Sequence, residues 1–128
     1  MNRTNAVRIS AVIGFLAVAL GAFGAHGLKH LLEQNHTEAI WEKAVFYHFI
    51  HTVMMFVLAT RRQFQVGPWC AFLAGIIIFS GSLYVLAYTN VKWLGAITPF
   101  GGVSFLVGWL WLAIKPLGGD PSSDSPEA

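Results

Sequence analysis

The sequence predicts an all-α integral membrane protein, a bundle of four transmembrane helices. Of its 128 residues, 55% are hydrophobic and only 11% are charged, whereas roughly a quarter of the residues in a typical soluble domain are charged. The charged residues are also segregated, so that four long stretches contain no Lys, Arg, Asp or Glu. These stretches are residues 9–25, 44–60, 66–91 and 93–114. Crossing a hydrocarbon core about 30 Å thick takes about 20 residues, with a working range of about 17 to 25.

The first helix is predicted over about residues 8–26, with the side chain of Arg8 reaching out toward the headgroup layer. A cleaved signal peptide is the alternative, because Arg3 and Arg8 make the start basic and the AFG at residues 22–24 resembles a cleavage site. The apolar run is longer than that of a typical signal peptide, and three further spans follow it. We therefore expect a membrane helix.

The long connection over residues 26–42 predicts a short amphipathic helix on the outer membrane face. Its Leu28, Leu31 and Leu32 recur at helical spacing among polar residues. Asn35 is expected to cap the start of the second main helix, and Trp41 to sit in the headgroup layer.

The three remaining spans are predicted over about residues 41–61, 67–89 and 93–114. Short turns over residues 63–68 and 90–92 join them, so we expect antiparallel neighbours. Residues 1–115 then form one transmembrane domain. The segment 116–128 has no large apolar residue beyond Leu117 and is predicted to be disordered.

The distribution of basic residues predicts that both termini lie in the cytoplasm. One side of the membrane would hold five of the eight basic residues, and the other side three, together with three glutamates. The five are Arg3, Arg8, Arg61, Arg62 and Lys115, and the three are Lys29, Lys43 and Lys92. The net charge of +2 is spread over loops, which argues against nucleic-acid binding, and the single Cys70 has no partner for an internal disulfide.

Small residues predict where the helices pack closely. Ala17, Gly21 and Ala25 are spaced by four and form a seam on the first helix, because membrane helices associate through faces of small residues. Gly24 lies beside that seam. In the third span Ser80, Gly81 and Ser82 are interpreted as a second small-residue contact.

In the fourth span, Pro99 followed by Gly101 and Gly102 predicts a kink. Proline removes a backbone donor and crowds an upstream carbonyl, and glycine softens the next turn. A packing kink is the simpler interpretation, and a broken helix lining a transport cavity is the alternative.

The histidines form a candidate polar cluster within the membrane. His26 is expected at the outer interface, with His48 and His51 one to two turns deeper on the second helix, near Tyr47 and Thr52. The structural interpretation is that these side chains hydrogen-bond between helices, at about 1 kcal/mol per bond. A metal or haem site and a proton-linked or small-molecule pathway are the alternatives.

No catalytic constellation is visible in the sequence. Ser80 and Ser82 lack an identifiable base and orienting acid, so hydrolytic chemistry is not predicted. No carboxylate or cysteine completes a metal-binding motif and no haem-attachment signature occurs, so we predict no metal and no cofactor.

Four ordered segments resemble the signature segments of a known family. They are GAFGAHGL at residues 21–28, WEKAVFYHFIH at 41–51, FSGSLY at 79–84 and LGAITPFGG at 94–102. The resemblance is to the domain of unknown function 423 family, also called uncharacterised protein family 0382, and through it to the transmembrane protein 256 family. It covers about residues 8–114.

The resemblance implies a four-helix, multi-pass protein of the bacterial inner membrane whose function the family leaves unassigned. His26 falls within the glycine-rich segment and His51 at the end of the second, whereas His48 is not carried over as a family feature. We predict a non-enzymatic structural, accessory or assembly protein that contacts the lipid bilayer and either a membrane-protein partner or further copies of itself. The alternative is a small oligomeric transporter or channel for a small solute or a proton.

Overall fold

Four helices in the described part of the chain are long and apolar enough to cross a membrane. The structure, a computed structural model, describes residues 1–115, so the predicted disorder of residues 116–128 lies outside the described part. The spans are Arg3–Ala25, Glu38–Thr60, Val66–Thr89 and Lys92–Ile114. At 1.5 Å per residue each is about 35 Å long. The all-α membrane bundle predicted from composition is confirmed.

Two of the four spans are unbroken α-helices and two are composite. Helix α1 is Arg3–Ala25 and α3 is Glu38–Thr60, with the short α2, Lys29–Asn35, between them. The third span consists of α4 (Val66–Gly75), a π-helical turn (Ile76–Ser80) and α5 (Gly81–Thr89). The fourth consists of a 3₁₀ segment (Lys92–Ala96) and α6 (Thr98–Ile114).

The spans alternate in direction, which brings both ends of the described chain to one end of the bundle. Arg3 donates a hydrogen bond to the Thr60 carbonyl at 3.0 Å, and Gln65 donates one to the Lys115 carbonyl at 3.3 Å. These residues mark what we call the terminal end. The opposite end carries α2 and is called the α2 end.

Helix α2 is held at its end of the bundle by the side chain of its last residue and by one that follows it. Asn35 donates to the carbonyls of Ala87 and Tyr88, both at 3.1 Å, and the buried Thr37 donates to Ala87 at 2.7 Å. The expectation that Asn35 caps the next helix is therefore wrong. Asn35 is the last residue of α2, and its amide joins the end of α2 to the end of α5.

Trp41 was expected in the headgroup layer, but it is buried in the α2-end core. Only 5% of its surface is exposed, and its indole donates a hydrogen bond to the Leu20 carbonyl at 2.9 Å. It packs with Leu32 and Ala87. A second core of larger side chains fills the terminal half, centred on Trp69, Phe72, Met55, Leu58 and Phe105.

The irregular part of the fourth span precedes Pro99 and does not follow it. Pro99 is the second residue of α6, where its missing N–H lies among the donors that a helix start leaves without an intrahelical acceptor. The change of helix type occurs before it, over Lys92–Ala96. From Thr98 the helix continues without interruption through Gly101 and Gly102.

Candidate functional site

The candidate site is a pair of buried histidines near the middle of the second span. His48 and His51 are 4% and 5% exposed and lie on either side of the midpoint of α3. At 1.5 Å per residue they are about 15 and 20 Å from its start. These distances correspond to about three and three and a half helical turns from the start of α3, and the depth of the two rings in a membrane stays a prediction.

His48 joins three helices through its two ring nitrogens. Its Nε2 lies 2.9 Å from the Ile13 carbonyl of α1, and its Nδ1 lies 2.9 Å from the Tyr84 hydroxyl of α5. Because a carbonyl can only accept, Nε2 carries the proton in this arrangement, and Nδ1 accepts from the phenol. One neutral imidazole thus satisfies both partners.

His51 has the opposite tautomer. Its Nδ1 lies 2.7 Å from the Tyr47 carbonyl and therefore donates, and its Nε2 accepts from the Trp109 indole of α6 at 3.0 Å. The ring stacks on Phe105, with centroids 3.6 Å apart and planes within 10°. The side chain of His51 thereby joins α3 to α6.

The other members of the predicted cluster have different positions. Tyr47 lies one turn from His51, with its ring 6.0 Å from the imidazole and 4.6 Å from the ring of Phe79. Thr52 donates to the His48 carbonyl at 2.7 Å, within α3 itself. His26 is exposed at the end of α1, about 20 Å along that helix from the carbonyl that His48 contacts. The structure does not bring His26 to the other two.

The histidine pair offers no open coordination position. Within residues 1–115, no three side chains of His, Cys, Asp or Glu are grouped so that they could hold a metal ion. Both ring nitrogens of both buried histidines already have hydrogen-bond partners. A ligand would have to displace one of these bonds.

Other buried polar side chains also form hydrogen bonds between spans. Ser80, fully buried, donates to the Ala44 carbonyl at 2.8 Å, and the Ser82 hydroxyl lies 2.7 Å from that of Thr98. The indole of Trp69 donates to Ser10 at 3.0 Å. Two of the three predicted small-residue positions in the third span, Ser80 and Ser82, are thus hydrogen-bonding positions.

The small residues of α1 contact α3 along a line that differs from the predicted seam. Ala17 is buried and a Cβ at Gly21 would lie 3.3 Å from a methyl of Val45, but Ala25 is exposed. The closest approach is at Gly24, where a Cβ would overlap the indole of Trp41. The contact line therefore passes from Gly21 to Gly24.

Glycines and aromatic rings pair reciprocally between the third and fourth spans. A Cβ added to any of these glycines would overlap the partner, and at Gly101 it would overlap backbone atoms of Phe79 as well as the side chain. The pairs are Gly67 with Trp111, Gly108 with Phe72, Gly75 with Phe105, and Gly101 with Phe79. By contrast, a Cβ on Gly81 would have no neighbour within 4 Å, and one on Gly102 only the Phe79 ring at 3.9 Å.

Sequence reasoning missed these pairs, although the signal was present. Phe72 and Gly108 lie at equal separations from Asn90, the turn residue, and so do Gly75 and Phe105. Two antiparallel helices bring such positions to the same level.

Two cavities lined by residues of the described part of the chain open on the outside of the bundle. The larger, about 690 Å³, lies between α1 and α3 at the α2 end, and we call it the α1–α3 groove. The smaller, about 500 Å³, lies between α3 and α6 beside His51 and Trp109, and none of its lining residues is charged. The lining of neither cavity extends past His51 toward the terminal end of α3.

Comparison with known proteins identifies relatives along most of the chain. The family described as "Protein of unknown function (DUF423)" matches residues 20–102. The UPF0382 membrane protein YwdK of Bacillus subtilis is 41% identical over 113 residues, which cover 83% of this chain and 90% of that protein.

A UPF0382 membrane protein of Staphylococcus epidermidis is 45% identical over 114 residues, 85% of this chain and 92% of that one. One from Haemophilus influenzae is 41% identical over 107 residues, 80% of this chain and 86% of the relative. No solved structure matches. The family suggested by the four sequence segments is thereby confirmed: this chain belongs to the DUF423 family of membrane proteins.

Proposed function

We propose that this protein is a non-enzymatic structural or accessory component of the bacterial inner membrane that acts by packing against membrane partners or further copies of itself. The observation that supports this most directly is the use of the interior polar groups. Both buried histidines and the hydroxyls of Ser10 and Ser80 hydrogen-bond to other helices. Such bonds stabilise a fixed bundle.

The same observation disfavours the transport alternative. A solute or proton pathway needs polar groups that exchange partners along the route, because ions in a membrane are carried between such groups. Among residues 1–115, the α1–α3 groove and the cavity beside His51 lie outside the helix packing, and the lining of neither extends past His51 toward the terminal end of α3. The buried histidines therefore support helix association better than conduction.

We further propose that the terminal end faces the cytoplasm. Arg3 and Lys115 lie at that end, together with the loop that contains Arg61 and Arg62, and short cytoplasmic loops carry an excess of basic residues. This orientation is tested by fusing a cytoplasm-active fluorescent protein, or a periplasm-active phosphatase, to each terminus of the chain. Phosphatase activity from a fusion at the amino or the carboxyl terminus would contradict this orientation.

The decisive experiment is purification of the tagged protein at native expression level in mild detergent, followed by mass spectrometry of components present in stoichiometric amount. We expect a reproducible membrane partner or a defined self-oligomer. A parallel measurement of proton and small-solute flux into liposomes containing the purified protein should give the rate of protein-free liposomes. Flux well above that rate, lost in the His51→Ala variant, would overturn the accessory role in favour of transport.

A further inference from the structure

We infer that the α1–α3 groove binds a phospholipid whose headgroup is zwitterionic and carries a primary amine. This inference goes beyond the proposed function, because it concerns a single chain and holds with or without a protein partner. It rests on the shape of the groove, on its length, and on the signs of the charges at one of its ends.

Small residues create the groove. Gly21, Gly24 and Ala25 of α1 line it, and because none has a side chain longer than a methyl group, space is left above the helix backbone. On the α3 side the wall is apolar and includes Val45 and Phe49. The glycine-rich segment thus has a second consequence besides close contact with Trp41.

The length of the groove matches one leaflet. Along α3 its lining runs from Glu38 to Ile50, which is about 18 Å at 1.5 Å per residue. Half of a hydrocarbon core about 30 Å thick is about 15 Å. An acyl chain of the leaflet at the α2 end therefore fits along the apolar part, with the headgroup at the level where α3 begins.

Charges of both signs line the headgroup end of the groove. They are the ammonium of Lys29 and the carboxylates of Glu38 and Glu42. All three side chains are exposed, and within residues 1–115 no hydrogen bond or ion pair engages their charged groups. No charged residue lines the remaining part of the groove.

This set of charges complements a zwitterionic headgroup. A phosphate is attracted to Lys29, and an ammonium is attracted to the two carboxylates, to which a primary amine also donates charge-assisted hydrogen bonds. An anionic headgroup without an amine would meet one favourable charge and two unfavourable ones. A quaternary amine has the charge but no N–H to donate, so the primary amine is preferred.

The test measures which lipid the purified full chain retains. The protein is placed in bilayers of equal parts phosphatidylethanolamine, phosphatidylglycerol and phosphatidylcholine with identical acyl chains. It is then released under mild conditions, and native mass spectrometry measures the mass of the protein together with the lipids it retains. We expect the retained lipid to be phosphatidylethanolamine, by about tenfold over each of the others, since one charge-assisted hydrogen bond accounts for a factor of that size.

Three variants locate the site. Lys29→Gln should reduce retention of phosphatidylethanolamine about tenfold, and the double change Glu38→Gln with Glu42→Gln should abolish the preference for it over phosphatidylglycerol. Ala25→Phe, which places a ring in the groove from an exposed position, should reduce retention of every lipid. The matched controls are Glu33→Gln and Lys92→Gln, which alter exposed charges at the same end that do not line the groove.

Several outcomes would overturn the inference. They are equal retention of the three lipids, a preference for phosphatidylglycerol, retention in the groove variants equal to that in the controls, and a lipid-free dimer, which would assign the groove to a second copy. The carboxylate variant changes only exposed side chains, so its unchanged melting temperature separates a lost site from a lost fold. Since no partner protein is present, the result is independent of the proposed accessory role.

Discussion

The two helix hairpins of this bundle are held together in different ways. In the first, α1 and α3 are joined by directed polar bonds, such as those from His48 to Ile13 and from Trp41 to Leu20. In the second, the third and fourth spans also share polar bonds, such as those between Ser82 and Thr98 and from Ser104 to Ala71, but four aromatic rings seated on glycines are added to them, such as Phe72 on Gly108. The difference shows that two solutions to helix association in lipid, hydrogen bonding and close van der Waals packing, coexist in one small chain.

The two kinds of contact also differ in how much stability a single substitution removes. A hydrogen bond lost from a membrane bundle costs about 0.6 kcal/mol on average and at most about 1.7, because the separated helices find other partners. A Cβ forced into a close-packed contact typically costs about 1–3 kcal/mol, and more where backbone atoms are in the way. Glycine positions in the second hairpin should therefore be the most sensitive to substitution.

The largest effect is expected for Gly101→Ala. A Cβ there would overlap the backbone of Phe79, which cannot move aside as a side chain does, so we expect a loss of about 3 kcal/mol or more in the free energy of unfolding. Thermal unfolding in detergent measures it. The neighbouring Gly102→Ala, with its nearest contact at 3.9 Å, is the matched control, and equal melting temperatures for the two variants would contradict the glycine–aromatic packing.

A smaller effect is expected in the first hairpin for Gly24→Ala. The new methyl would displace the Trp41 indole and weaken its bond to Leu20, for a cost of about 1–3 kcal/mol. Gly21→Ala is the control, because its Cβ would meet only a Val45 methyl at 3.3 Å. If both variants unfold at the same temperature, the contact line of α1 does not run through Gly24.

His48→Leu sharpens the comparison from the polar side. It removes two bonds between helices, to Ile13 and Tyr84, and we expect a loss of about 1–2 kcal/mol. Tyr84→Phe removes only one of them and should cost about half as much. Reversible unfolding in mixed detergent gives both values, and a cost for Tyr84→Phe as large as that for His48→Leu would show that the two bonds are not separable.

The smallest measurable effect is expected for Trp109→Phe. This change keeps an aromatic ring but deletes the N–H that donates to His51, at about 0.6 kcal/mol. His26→Ala should leave unfolding unchanged, because this side chain is exposed at the end of α1. A destabilisation by His26→Ala comparable to that of Trp109→Phe would mean that His26 belongs to the buried cluster after all.

The membrane spans could be predicted because the cost of placing charge in hydrocarbon keeps charged residues out of them, so that they stand out as long uncharged stretches. The burial of individual side chains within the bundle could not be predicted in the same way. Trp41 was assigned to the interface because tryptophan favours that layer, but the missing side chain of Gly24 gives its ring a buried site. Helix α3 also begins at Glu38, one turn before the predicted start at about residue 41.

The contacts of the candidate site were only partly accessible to prediction. Hydrogen bonding of intramembrane histidines to other helices was the leading interpretation, but their partners, the Ile13 carbonyl and the Trp109 indole, depend on the rotation of helices that carry almost no amphipathic pattern. His26 was grouped with the other histidines by its place in the chain. His26 lies at the end of α1, whereas His48 contacts Ile13 near the middle of that helix. The sequence alone does not show which level of α1 faces which level of α3.

The wide turn at Ile76–Ser80 sets the angular phase of the third span. That span has 24 residues, whereas each of the others has 23, and a π-helical turn takes up one residue more than an α-helical turn. If the same 24 residues formed one continuous α-helix, α5 would be rotated relative to α4 by about 100°. With Phe72 and Gly75 still against α6, Ala87 would then turn away from Thr37, so the π-helical turn lets this span keep its contacts with α6 at one end and with Thr37 at the other.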